Sequence, residues 1–152
     1  MNKTLSYTFA ALAVAGLPAV YLSTRQPETA SSHATDASGT TGGAEGDPIV
    51  EVAIPLALTS DAEIGKRAFE AKCAACHGVN AVGQNGVAPP LVHRIYEPNH
   101  HSDMAFVLAA KNGVRSHHWN FGDMPPVKGL TDADVKHIAR YIRELQKENG
   151  IF

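Results

Sequence analysis

The sequence predicts an all-α domain. Three segments, opening near Ser60, Ser102 and Thr131, carry helix-start signals followed by apolar residues at three- and four-residue steps. No run of alternating apolar residues between them reads as a strand. All three lie in residues 49–152 of a 152-residue chain, a length that suits one modest domain.

The first helix is expected to start at Ser60-Asp61-Ala62-Glu63, a capping-box pattern in which hydroxyl and carboxylate satisfy exposed backbone donors. Ile64, Ala68 and Phe69, then Ala71 and Cys73, form its apolar side, with Lys66, Arg67, Glu70 and Lys72 facing water. Gly78 ends it, and Gly83 and Gly86 keep the next stretch in loop form. A second helix is expected over Ser102 to Asn112, with Met104, Phe106, Val107, Leu108 and Ala110 apolar and Gly113 suited to the position just past its end. The last helix is the most strongly marked. Thr131-Asp132-Ala133-Asp134 caps it, Val135, Ile138, Ala139, Ile142 and Leu145 recur on one face, and Gly150 closes it. Asp132 and Asp134 near its start and Arg143 and Lys147 towards its end suit the helix dipole.

The first helix runs into Cys73-Ala74-Ala75-Cys76-His77. Two thiols three positions apart, with an imidazole directly after the second, form the attachment signature of a c-type haem. Each thiol can add across a haem vinyl group, and the adjacent histidine can then ligate the iron. The chain has only these two cysteines, so a closed four-coordinate zinc site would need two more ligands from elsewhere. A thioredoxin-like pair belongs to a βαβ pattern that is missing here. One motif implies one covalent haem c. A domain of about a hundred residues buries only about two-thirds of its unfolded surface. A flat apolar cofactor would supply much of the core it lacks.

Ligation needs more than the motif. The second ring nitrogen of His77 must be hydrogen-bonded to fix tautomer and ring plane, and the rigid Ala88-Pro89-Pro90-Leu91 loop can offer a carbonyl. Met104, Met124 and seven further histidines are candidates for a sixth ligand. Met104 falls in an apolar helical stripe and reads as core. Met124, in Phe121-Gly122-Asp123-Met124-Pro125-Pro126, sits where neither helix nor strand can form and has no packing role in view. Thioether ligation raises the reduction potential and closes the iron to substrates. His117 and His118, beside Trp119, can be an alternative axial ligand, a propionate contact, a surface metal site or plain exposed loop residues, and His100-His101 lies earlier. Trp119 can donate its indole N–H to a propionate or simply pack in the core, and Arg115 can serve as a propionate counter-charge or stand exposed to solvent. Asp123 can tune the ligand or cap a turn.

From about Ser60 to the end of the last helix the chain resembles the class I c-type cytochromes. The resemblance rests on Gly65 and Phe69, Cys73 to His77, Pro89 to Leu91, the Met124-Pro125 loop and Tyr141, in that order. It implies a cytochrome c-like fold with three main helices around one haem. It also implies a close crossing of the first and last helices at Gly65 against Tyr141, a Pro89 carbonyl on His77, and His77 and Met124 as axial ligands.

The N-terminus adds a location. Leu5 to Leu22 carries no charge and follows Lys3, so residues 1–22 read as an export signal or an uncleaved membrane anchor. Residues 23–48 are rich in Ser, Thr, Ala and Gly and read as a flexible linker, with residues 49–152 as the domain. Hydrophobic anchor and linker resemble those of membrane-tethered bacterial members of the family. Residues 49–152 hold eleven acidic and eleven basic side chains, so no nucleic-acid-binding balance exists.

The expected function is therefore electron transport on the periplasmic side of the bacterial cytoplasmic membrane, by a monomer without a small-molecule substrate. A quinol-oxidising complex or a dehydrogenase would be the donor and a terminal oxidase the acceptor. The alternatives are a haem subunit of a peroxidase or dehydrogenase complex and a haem-based gas sensor. Both the peroxidase and the sensor need an open iron position, and a second CxxCH, expected of dihaem peroxidases, is missing. For the anchor, fractionation of the producing cells should leave a species intact from Met1 in washed membranes. A soluble mature form starting soon after Ala15 would show cleavage instead.

Overall fold

The structure, a computed structural model, describes residues 43–152. The expected anchor over residues 1–22 and most of the linker, up to residue 42, lie outside the described residues. Among the described residues no helix is long and apolar enough to cross a membrane.

Four α-helices follow in order: α1 (Ser60–Lys72), α2 (Ala74–His77), α3 (Asp103–Asn112) and α4 (Asp132–Glu148). Short 3-10 turns cover Val79–Ala81 and Arg94–Tyr96. Among the described residues no strand forms, only the isolated bridges Gln84–Ala88 and Val114–Met124. The domain is all-α, as its periodicity requires.

α1 and α4 cross at Gly65. A Cβ on that residue would lie 1.9 Å from the His137 carbonyl oxygen, so only glycine permits the approach. The crossing selects the buried stripe of α1 as Ala62, Gly65 and Phe69, one face of a helix. Ile64 and Ala71, expected on the apolar side, are instead exposed. Small residues at the contact matter more here than the most apolar ones. Phe69 meets Tyr141 of α4 with ring centroids 5.7 Å apart, and the Tyr141 hydroxyl donates to Asn80 Oδ1 at 3.0 Å.

The cap of α1 also differs from expectation. Thr59, not Ser60, is the N-cap, and its hydroxyl accepts from Ala62 N. The choice is tertiary, because Glu144 of α4 accepts from both the hydroxyl of Thr59, at 2.6 Å, and its backbone N–H, at 3.1 Å. α4 begins with the expected capping box, Thr131 with Asp134. It buries Val135, Ile138, Ala139, Tyr141, Ile142 and Leu145, together with one polar residue, Gln146.

α3 buries only Val107 fully. Met104, expected in the core, is 51% exposed, and Leu108, equally exposed, faces a pocket beside Cys73 and His77. α3 meets α4 at Arg143 of α4, whose guanidinium lies 5.0 Å from the Phe106 ring centroid and 2.8 Å from Asp103.

The linker boundary shifts as well. Residues 43–47 fold back on the domain, with Gly46 N donating to Asn85 O at 2.9 Å and Asn85 N to Asp47 O at 2.8 Å. Asn85 Nδ2 also reaches Gly43 O. The folded unit therefore starts before Ile49. Composition could not show this, since the bonds are made to a loop forty residues on.

Gly65→Ala should destabilise the protein by about 2–3 kcal/mol through overpacking, although alanine would by itself favour the helix by about 1 kcal/mol. Denaturant unfolding of the haem-loaded protein measures the sign; a stabilised variant would disprove the crossing.

Candidate functional site

One apolar cleft of about 700 Å³ opens between α1, α3, α4 and the loops joining them. That volume is within the range of cofactor pockets. Cys73, Cys76, His77 and Met124 all line it, so residues far apart in sequence meet at one surface.

The motif is presented by a change of helix. α1 ends at Lys72, Cys73 turns, and α2 carries Ala74 to His77 before Gly78 at φ 73° stops it. Gln84 Nε2 donates to the carbonyls of Ala74 and Ala75 at 3.3 and 3.2 Å, tying this short helix to the next loop. Burial, and secondarily Cys76, push the Cys73 thiol up to about 11. A redox-active CxxC pair needs the opposite, a thiol pKa below its free value.

His77 is buried, and its Nδ1 lies 2.9 Å from the Pro89 carbonyl oxygen. A carbonyl only accepts, so Nδ1 carries the proton and Nε2 is left as a free ligand atom. Burial lowers the His77 pKa, partly opposed by that bond, and keeps the ring neutral as iron ligation requires. The Pro89 carbonyl is itself fixed: Pro90 is fully buried and packs against Gly83, where a Cβ would meet Pro90 N at 2.5 Å. Gly83 N closes the loop by donating to the His77 carbonyl at 2.7 Å.

Met124 is positioned from its backbone. Val114 and Met124 exchange N–H to carbonyl bonds, both of 2.9 Å. Gly113 leaves room for the Met124 carbonyl, which would lie 2.5 Å from any Cβ there. Val127 N donates to Ala110 O at 2.8 Å and Ser116 N to the Asp123 carboxylate at 2.8 Å. Asp123 is thus a clasp of the loop. The half-buried thioether is held on a stiff support, though in a bridge rather than the irregular loop that its sequence suggests.

Arg115 and Trp119 part company. Val114 and Ser116 line the cleft, whereas Arg115 between them is exposed and turned away, following the alternation of an extended segment. It does not meet the cleft as a propionate partner would. Trp119 does line it, stacked on Phe121 with centroids 5.7 Å apart and edge-on to His93 at 5.2 Å. Its indole N–H is buried without a hydrogen-bond partner; the Tyr96 hydroxyl is near but outside bonding geometry. A buried donor left unpaired is costly. It is the kind of group that a carboxylate-bearing cofactor in the cleft would satisfy. Cleft, thiols, neutral imidazole, thioether and orphan donor together fit a haem.

Residues 62–146 match the protein-family model for cytochrome c. The chain belongs to the cytochrome c family. It is also 30% identical over 101 residues to cytochrome c6 of Gracilaria tenuistipitata var. liui, an alignment covering 64% of this chain and 83% of that one. Family membership makes it an electron-carrier haem protein with covalent haem c.

Two supports of this cytochrome's cleft escaped the sequence. Gln146, fully buried on α4, donates from Nε2 to Leu91 O at 2.8 Å and Tyr96 O at 3.0 Å, and accepts from Arg143 Nη1 at 2.6 Å. Arg143 also holds the carbonyls of Tyr96 and His101. The pair fixes the loop from the proline segment to α3. The only signal of Gln146 was a polar residue next to Leu145 at a core-facing step. Gln146→Leu should cost about 2 kcal/mol, since it leaves the Leu91 carbonyl unpaired without opening a cavity. Thermal unfolding followed at the haem band would show the loss, and unchanged stability would contradict it.

Proposed function

We propose that the chain is a monohaem electron carrier with a closed, six-coordinate iron. Cys73 and Cys76 hold the haem by thioether bonds, each formed when S–H adds across a vinyl group, so no oxidant is consumed. His77 Nε2 and the Met124 thioether would hold the iron, and the Trp119 indole would donate to a haem carboxylate. When bound, the haem iron accepts and releases one electron at a time.

The observation that carries this reading is the pairing of the His77 Nδ1–Pro89 bond with the doubly bonded Met124 backbone. Both candidate ligands are clamped by hydrogen bonds to backbone groups of neighbouring loops. Rigid ligation keeps the coordination unchanged between oxidation states, and little rearrangement is then needed for fast transfer. An enzyme or sensor would need one of these clamps to release.

Docking is to redox proteins over a small, transient interface. A quinol-oxidising complex or dehydrogenase would donate electrons and a terminal oxidase would accept them. The charge-free run from Leu5 to Leu22 supports tethering to the periplasmic face of a bacterial membrane.

Met124→Ala tests the centre. The ferric methionine charge-transfer band should disappear, the reduction potential should fall, and the ferrous variant should bind carbon monoxide, which the native protein should not bind tightly. Persistence of the band in the variant would refute Met124 ligation. Tight carbon monoxide binding or peroxide turnover by the native protein would replace the carrier with a sensor or peroxidase.

A further inference from the structure

Four histidines gather at the rim of the cleft: His100 and His101 before α3, and His117 and His118 before the Met124 loop. The rings of His100 and His101 have centroids 4.7 Å apart, His100 and His118 5.2 Å, His101 and His118 5.4 Å, and His117 and His118 4.2 Å. One ligand nitrogen from each of His100, His101 and His118 falls within 4.8 Å of the other two.

We propose that His100, His101 and His118 form a binding site for a divalent transition cation, Zn²⁺ in the first instance, separate from the haem iron. Imidazole nitrogens suit this class of ion. Tetrahedral Zn²⁺ with Zn–N bonds of about 2.0–2.1 Å places neighbouring ligand nitrogens about 3.3 Å apart. The Nε2 atoms of His100 and His118 are 3.3 Å apart. A hydrogen bond between two neutral rings accounts for that pair alone and leaves the third imidazole unexplained.

His101 has the outer contacts that a metal-bound histidine needs. Its Nδ1 donates to the Ile95 carbonyl at 2.6 Å, which fixes the tautomer and leaves Nε2 free. Its own carbonyl is held by Arg143, whose charge is offset by Asp103 at 2.8 Å. The least mobile ligand is thus clamped to α4, while His100 and His118, both exposed, can close on the ion. His117 stands beside them with Nδ1 donating to the Arg115 carbonyl at 2.9 Å. The fourth tetrahedral position faces solvent and takes water or this ring. A cation held here would bridge the His100-His101 turn to the segment that leads into Met124.

The test is equilibrium dialysis of the untagged, haem-loaded full chain against Zn²⁺, with Co²⁺ as a spectroscopic substitute. Saturable uptake of one Zn²⁺ per haem is expected, with tetrahedral Co²⁺ bands and an unchanged haem spectrum. His100→Ala and His118→Ala should each weaken binding by at least about tenfold, and His137→Ala, on α4, should not. Both ligand substitutions are at exposed positions, so folding is not at risk. Absence of saturable binding, or binding that survives in the H100A/H118A double variant, overturns the proposal. A changed haem-ligation spectrum in those variants overturns it too, because the histidines would then serve the iron.

Discussion

The approach of α1 to α4 at Gly65 sets the position of everything else. Once the two backbones touch, Phe69 must lie on Tyr141, and the turn after Lys72 carries Cys73 to the mouth of the cleft. α4 then acts as the spine from which each loop is hung. Glu144 caps α1 through Thr59, Tyr141 holds Asn80, Gln146 and Arg143 hold the loop from Leu91 to His101, and Asn149 binds Ala53 through its Oδ1 and Nδ2. Few of these bonds join regular elements. They join one helix to irregular backbone, which suits a fold whose cofactor takes the place of a larger apolar core.

The cleft works on a matching principle. Side chains that would meet the haem are soft or neutral: thiols, a buried imidazole and a thioether. The polar groups that fix them sit behind, at Pro89, Val114, Gln84 and Gln146. Such a division leaves the geometry of the redox centre to the hydrogen bonds around it. Arg115 faces outward because the extended backbone after α3 turns its neighbours Val114 and Ser116 to the cleft. Trp119 lies beyond the bend at His117 and His118, which breaks that alternation and lets the indole face the cleft.

Features governed by local rules were legible in the sequence. The haem signature, the capping box at Thr131 and Asp134, and the stripe of Val135, Ile138, Ile142 and Leu145 are all written within one element. Features decided by a partner element were read less well. Thr59 displaced Ser60 as N-cap because Glu144 is in reach, Ile64 lost its place to Gly65 because of the crossing, and Met104 is half exposed on a helix that buries only Val107. Residues 43–47 looked like linker until Asn85 supplied their partners. In each case composition was silent about a contact across tens of residues.

The sequence by itself determined that this is an all-α cytochrome c domain with one CxxCH site, because helix periodicity, caps and covalent attachment depend on spacings of three or four residues. Only the tertiary structure decided which groups stand around that site. The His77–Pro89 bond, the pinning of Met124 by Val114, the unpaired Trp119 donor and the gathering of four histidines depend on where α4 holds the loops. The physical reason is range. Spacing along the chain dictates local geometry, but convergence of distant loops follows from packing at Gly65 and hydrogen bonds to α4, which no local pattern encodes.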